Sequence, residues 1–123
     1  SVKIDAGTLV PFHSGNTNVT NLTGGNIDAT SGVLYDIRVI LDPSVSVARY
    51  LMLFNRNTLP GDTVTPIADG LIWQMVIPPA GEASESFPLG LAYDTALTAV
   101  ISSTHDELTI VLANEGIIFG QRI

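Results

Sequence analysis

Val, Ile and Thr supply 35 of the 123 residues, and sheets accommodate so many β-branched side chains better than helices do. Lys, Glu and Gln, which ordinarily cover exposed helix faces, number only seven together. The 11 glycines and seven prolines fall between short apolar runs, as turn punctuation does. The chain reads as all-β. Thr95–Ile101 comes nearest to a helix, and its β-branched end argues against one. At this length there is room for one domain and one core.

The pattern is weakest at the start. Residues 1–30 read as an irregular N-terminal segment, with short strands at Val2–Ile4 and Thr8–Val10 and a weak one around Val19 and Leu22. Its Gly-, Asn- and Thr-rich stretch suits turns, and the segment is either an arm that packs on a neighbour or a disordered tail. A β-sandwich domain is expected over 31–123. There, Val33, Tyr35, Ile37, Val39 and Leu41 fall on one strand face, with Leu34, Asp36, Arg38 and Ile40 on the other. Asp42-Pro43-Ser44 is a turn. Val45–Phe54 alternates as well, but its end is apolar on both sides, as in a central strand or one with contacts on both faces. Asn55–Asp69 is a long loop, and Leu71–Ile77 a strand stopped by Pro78-Pro79-Ala80-Gly81. Glu82–Ser86 reads as a polar link into Phe87–Tyr93. Further strands are expected at Ala96–Ser102 and Glu107–Ala113, with a short edge strand at Ile117–Phe119. Seven or eight strands at this spacing predict a single antiparallel β-sandwich with jelly-roll-like connections.

Charge and composition narrow the function. Twelve acids against five bases give a net charge of −7, which argues against nucleic-acid binding and a cationic membrane-surface helix. The longest uncharged stretch, Ala6–Ile27, is too polar to cross a membrane as a helix. The N-terminus shows no apolar signal core; Ser1 reads either as the residue left after methionine removal or as the start of a trimmed domain. The sequons Asn18-Val19-Thr20 and Asn21-Leu22-Thr23 read as chance in an Asn/Thr-rich loop. With no cysteine there is no disulfide framework, thiolate metal site or cysteine nucleophile. Charged residues make up 14% of the chain where about 25% is usual, leaving surface to offer a partner.

No enzyme signature is visible, so no catalytic residue, metal or cofactor is expected. His13 and His105 both lie in turn-like segments and read as exposed loop histidines. Asp106-Glu107 and the Gly24–Asp28 stretch offer oxygen ligands for calcium but lack the spacing of a calcium loop. Arg49, Tyr50 and Trp73 are the candidate partner-interface residues, because Arg and aromatic side chains beside apolar strand positions are enriched at interaction hot spots. A strand-face Arg reaching water along its stem, or a Trp in a core, is the plainer account. A carbohydrate-binding sandwich using Trp73 and Tyr93 is the alternative from another class.

From Ser31 to Ala113 the order of motifs resembles a β-sandwich module common in virion proteins of tailed bacteriophages. The features are Ser31-Gly32-Val33-Leu34-Tyr35, Ala48–Asn55, the loop from Thr63 to Pro66, Ile77-Pro78-Pro79-Ala80-Gly81, and Phe87-Pro88-Leu89-Gly90-Leu91-Ala92-Tyr93. The first thirty residues and Ala68-Asp69-Gly70 depart from it. The resemblance implies a non-enzymatic structural role and names no site residue. It points to a capsid decoration, or cement, subunit at the surface of the phage particle, made in the host cytoplasm. A tail, head-fibre or adaptor component is the second option. The partners implied are the major capsid protein or another virion protein and further copies of the chain, as in a trimer at a threefold position.

Overall fold

The structure is a computed structural model that describes residues 10–13, 24–28, 30–58, 60–61, 64–109 and 116–123. They form eight strands: β1 (Val10–His13), β2 (Gly24–Asp28), β3 (Gly32–Leu41), β4 (Arg49–Phe54), β5 (Leu71–Ile77), β6 (Glu82–Tyr93), β7 (Leu97–Ser102) and β8 (Gly116–Arg122). A single turn of 3-10 helix, Pro66–Asp69, precedes β5, and the described residues contain no α-helix.

The strands make two four-stranded sheets, ordered β1-β8-β3-β6 and β2-β7-β4-β5, and every pair is antiparallel. Pairing β1 with β8, β2 with β7, β3 with β6 and β4 with β5 is what one long hairpin would do, folded at the loop between β4 and β5. Wrapping that hairpin so that β8 also meets β3, and β7 also meets β4, produces the jelly-roll order. The expected antiparallel sandwich is what forms.

The inner faces carry the core. Leu34, Ile37, Val39 and Leu41 from β3 and Ile118 from β8 meet Leu51 and Leu53 from β4, Ile77 from β5, and Leu97, Ala99 and Ile101 from β7, all buried. The register of β3 slips between Leu34 and Asp36 against both its neighbours. This bulge flips the alternation, so Leu34 joins Ile37, Val39 and Leu41 inside, whereas strict period two had put it opposite them.

Other expectations are corrected by pairing. β8 is longer than the expected edge strand at Ile117–Phe119 and lies between β1 and β3. The stretch Glu82–Ser86, expected as a link, is the first half of β6, hydrogen-bonded along β3. The strand expected from Val45 begins only at Arg49. Residues 107–109 are outside any strand, and residues 110–113 of the expected Glu107–Ala113 strand lie outside the described residues. The expected boundary between residues 30 and 31 falls between β2 and β3, and β1 and β2 are members of the two sheets. Apart from Thr30, the remainder of that N-terminal segment, including the strands expected at Val2–Ile4 and around Val19 and Leu22, lies outside the described residues.

β6 carries a pronounced irregularity. Leu34 pairs with Leu91 and Asp36 with Ser86, so four residues of β6, Phe87-Pro88-Leu89-Gly90, stand across from Tyr35 alone. The excess buckles outward and leaves Leu89 98% exposed. Gly90 makes the buckle feasible, with φ of 84° and Val33 Cγ1 only 2.3 Å from where a Cβ would sit.

Candidate interaction surface

In β4, Leu51 and Leu53 face the main core while Tyr50, Met52 and Phe54 face outward, yet Met52 and Phe54 are fully buried. Two excursions of the chain cover them. The loop from β4 to β5 supplies Val64, and the segment after β7 supplies Leu108; with Val100 and Leu71 they close a second hydrophobic cluster on the outside of this sheet. A backbone bond from Leu108 N–H to the Val64 carbonyl, 2.9 Å, ties the excursions together. The two-sided apolar end of β4 is thus a contact on both faces.

Polar side chains fix the two excursions. Asn55 Oδ1 accepts from the backbone N–H groups of Thr95 and Ala96 at 2.9 and 3.3 Å, and Asn55 Nδ2 donates to Asp94 at 2.7 Å. Arg56 reaches Asp69 at 3.0 Å. Ser102 Oγ donates to the Thr104 carbonyl at 2.7 Å and accepts from Thr109 N–H at 3.0 Å, closing the second excursion.

Between them lies a cleft of about 360 Å³, with Pro66, Ile67, Leu71 and Gln74 on one side and His105 and Asp106 on the other. Tyr50 packs edge-on against His105 with ring centroids 5.6 Å apart. Ile67 is 81% exposed at the rim, and Val76, opposite Tyr50 in the sheet, is 56% exposed. Gln74 Oε1 is buried here without a hydrogen-bond partner. Apolar side chains held in the open beside a cleft are the kind of surface a protein partner covers.

Of the three candidate interface residues, Tyr50 belongs to this surface. Arg49 is half-buried at the start of β4, opposite Ile77, on the row that continues inward as Leu51 and Leu53. Trp73 pairs with Leu53 and packs against the core, so it is on the opposite face of the sheet from Tyr50. Its ring meets Phe87 of β6 edge-on at 5.1 Å, closing part of the gap between the edges of the two sheets. The structure brings Tyr50 and His105 together and keeps Trp73 apart from them. Tyr93, expected as a sugar platform, is only 2% exposed, so no ligand can stack on it.

A polar cluster that sequence reasoning missed bridges the two sheets. Asp28 at the end of β2 accepts from Tyr93 Oη of β6 at 2.7 Å and from Thr30 N–H at 3.2 Å, and Arg122 of β8 is 3.2 Å away. Burial opposes its charge, but the hydrogen bonds and the guanidinium prevail and hold the carboxyl below its usual pKa. Tyr93 is pushed well up, by burial first and then by Asp28. The cluster pins one sheet to the other. It commits Asp28, in a stretch whose oxygens lack the spacing of a calcium loop, to Tyr93, Thr30 and Arg122, and among the described residues no three metal-binding side chains converge. Nothing local in the sequence announces it, because its members come from three distant strands.

No protein-family model matches the chain, and no curated protein matches it. Among solved structures, the chain is similar to one from the X-ray structure of tomato aspermy virus, over 99% of this chain and 79% of that one, at 13% identity and a TM-score of 0.39.

Proposed function

We propose that this protein is a non-enzymatic structural component of a tailed-bacteriophage particle, a decoration subunit that binds the assembled head through the outer surface of the β2-β7-β4-β5 sheet. The observation that carries the reading is Ile67, exposed at the rim of an apolar cleft, with the Arg56–Asp69 ion pair bracing the loop that carries it. A preformed surface loses little ordering entropy on docking. The motif order from Ser31 to Ala113 supplies the particle. Jelly rolls also serve as lectin domains, so architecture by itself does not choose. The burial of Tyr93 counts against the carbohydrate reading. A subunit that binds only the assembled shell stabilises it by mass action.

The test is sedimentation of the purified protein with heads that lack it. Cosedimentation with heads, reduced at least tenfold by Ile67→Asp, is the expected result. Recovery only with isolated tails would move the protein to a tail or adaptor role. Glycan binding lost on Trp73→Ala, with no association with heads, would replace the reading by the carbohydrate one.

A further inference from the structure

Two polar features of the cleft do not suit a purely apolar occupant. Gln74 stands opposite Met52 where β5 pairs with β4, so its side chain leaves the outer side of that sheet, where the cleft lies. Its Oε1 is buried and accepts no hydrogen bond. A buried acceptor without a donor is costly, and a partner that brings a donor relieves that cost. On the other wall, Asp106 presents an exposed carboxylate. No lysine or arginine is among the described residues lining the cleft, and Arg56 of the neighbouring loop is held by Asp69 at 3.0 Å. With a net charge of −7 on the chain, a cation is drawn to this place and an anion is not. Between the two acceptors the wall is apolar, made by Pro66, Ile67 and Leu71.

We infer that the cleft receives one arginine side chain of the partner protein. Its aliphatic stem lies against Pro66, Ile67 and Leu71, and its guanidinium donates to Gln74 Oε1 on one wall and to Asp106 on the other. A planar head with donors pointing in several directions serves two acceptors on different walls at once, and it is more weakly hydrated than an ammonium. At about 360 Å³ the cleft is at the small end of the ~300–1,000 Å³ range of ligand pockets, room for a side chain and not for a folded segment. The inference rests on the cleft being the docking surface and adds the chemical group that enters it.

Titration of the purified protein with butylguanidinium, followed by NMR chemical shifts, tests it without heads. Saturable shifts at Ile67, Gln74 and His105 in the millimolar range are expected. Butylurea, the same shape without the charge, and butylammonium, the charge without the planar fork, are each expected to bind about tenfold more weakly. Asp106→Asn changes an exposed position, so the circular dichroism spectrum is expected to stay the same while most of the advantage of butylguanidinium over butylurea is lost. Gln74→Met keeps the length of the side chain, removes the acceptor and is expected to weaken all three probes. Absence of saturable shifts at the cleft, equal affinity for butylurea or butylammonium, or an unchanged affinity for butylguanidinium in Asp106→Asn would each overturn the proposal. Butylguanidinium bound as expected by a protein that does not sediment with heads would leave it standing and remove only the decoration reading. Heads bound equally by the unaltered protein and by Asp106→Lys would keep the decoration reading and overturn the arginine.

Discussion

At the scale of single residues, the buried pair Asp28 and Tyr93 makes stability depend on pH at both ends of the range. The Asp28 carboxyl has a lower pKa folded than unfolded, so its contribution is complete above the ordinary value of about 3.9 and is lost as pH falls through the folded value. Tyr93 acts in the other direction. Its phenol is raised in the fold, so its contribution is complete below the ordinary value of about 10 and declines as pH rises beyond it. Urea midpoints are therefore expected to fall below about pH 4 and again above about pH 10. Tyr93→Phe removes a hydrogen bond to a charged group. It should cost about 2 kcal/mol at neutral pH and shrink the alkaline decline, and an unchanged alkaline limb would assign that limb elsewhere. Ala80 offers a second test. It sits at φ 51° in the turn between β5 and β6, a conformation that strains any side chain. Ala80→Gly removes the strain and gives back part of it as unfolded-chain entropy, so a gain of about 0.5 kcal/mol in chemical denaturation is expected.

At the scale of strands, the buckle in β6 depends on one position. Gly90→Ala would drive a methyl into Val33 and force a side chain onto φ 84°, and a loss of about 2 kcal/mol is expected. Leu89→Ser, one residue earlier but nearly fully exposed, should change stability by less than about 0.5 kcal/mol. The outward cluster on β4 is a true second core, so Phe54→Ala is expected to cost about 3–4 kcal/mol, read from the same urea curves. These strands also show what is legible in the chain. Alternation in Val33–Leu41 identifies β3, and the apolar pair Met52 and Phe54 reveals that β4 is covered on both sides. The turn at Asp42 follows from residue type alone: its carboxylate accepts from Ser44 N–H at 3.0 Å. Periodicity fails where pairing decides. The bulge beside Tyr35 is invisible until β3 meets β6 and β8, and the polar first half of β6 is a strand because β3 hydrogen-bonds it. The placement of β8 at the centre of its sheet is a fact of long-range order that three apolar residues cannot encode. The site is legible only in part. Tyr50 stands out as an aromatic on an apolar strand, whereas its neighbour His105 arrives from fifty-five positions away by way of a loop.

At the scale of the whole molecule, the two sheets differ in what covers them. The β2-β7-β4-β5 sheet wears the loop from β4 to β5 and the segment after β7, making a partial third layer with a cleft in it. The outer side of the other sheet carries the Arg38–Glu82 ion pair, with the Arg38 guanidinium 5.7 Å from the centroid of the Phe119 ring. An exposed pair of this kind contributes up to about 1 kcal/mol, so Arg38→Ala is expected to change stability little and to leave any binding through the cleft intact. If binding to heads is lost in Arg38→Ala and kept in Ile67→Asp, the bearing surface is the β1-β8-β3-β6 sheet instead.

The Asp28 bridge joins a strand of one layer to two strands of the other, so the two halves of the sandwich cannot slide past or part from each other without stranding a carboxylate in a poorly hydrated seam.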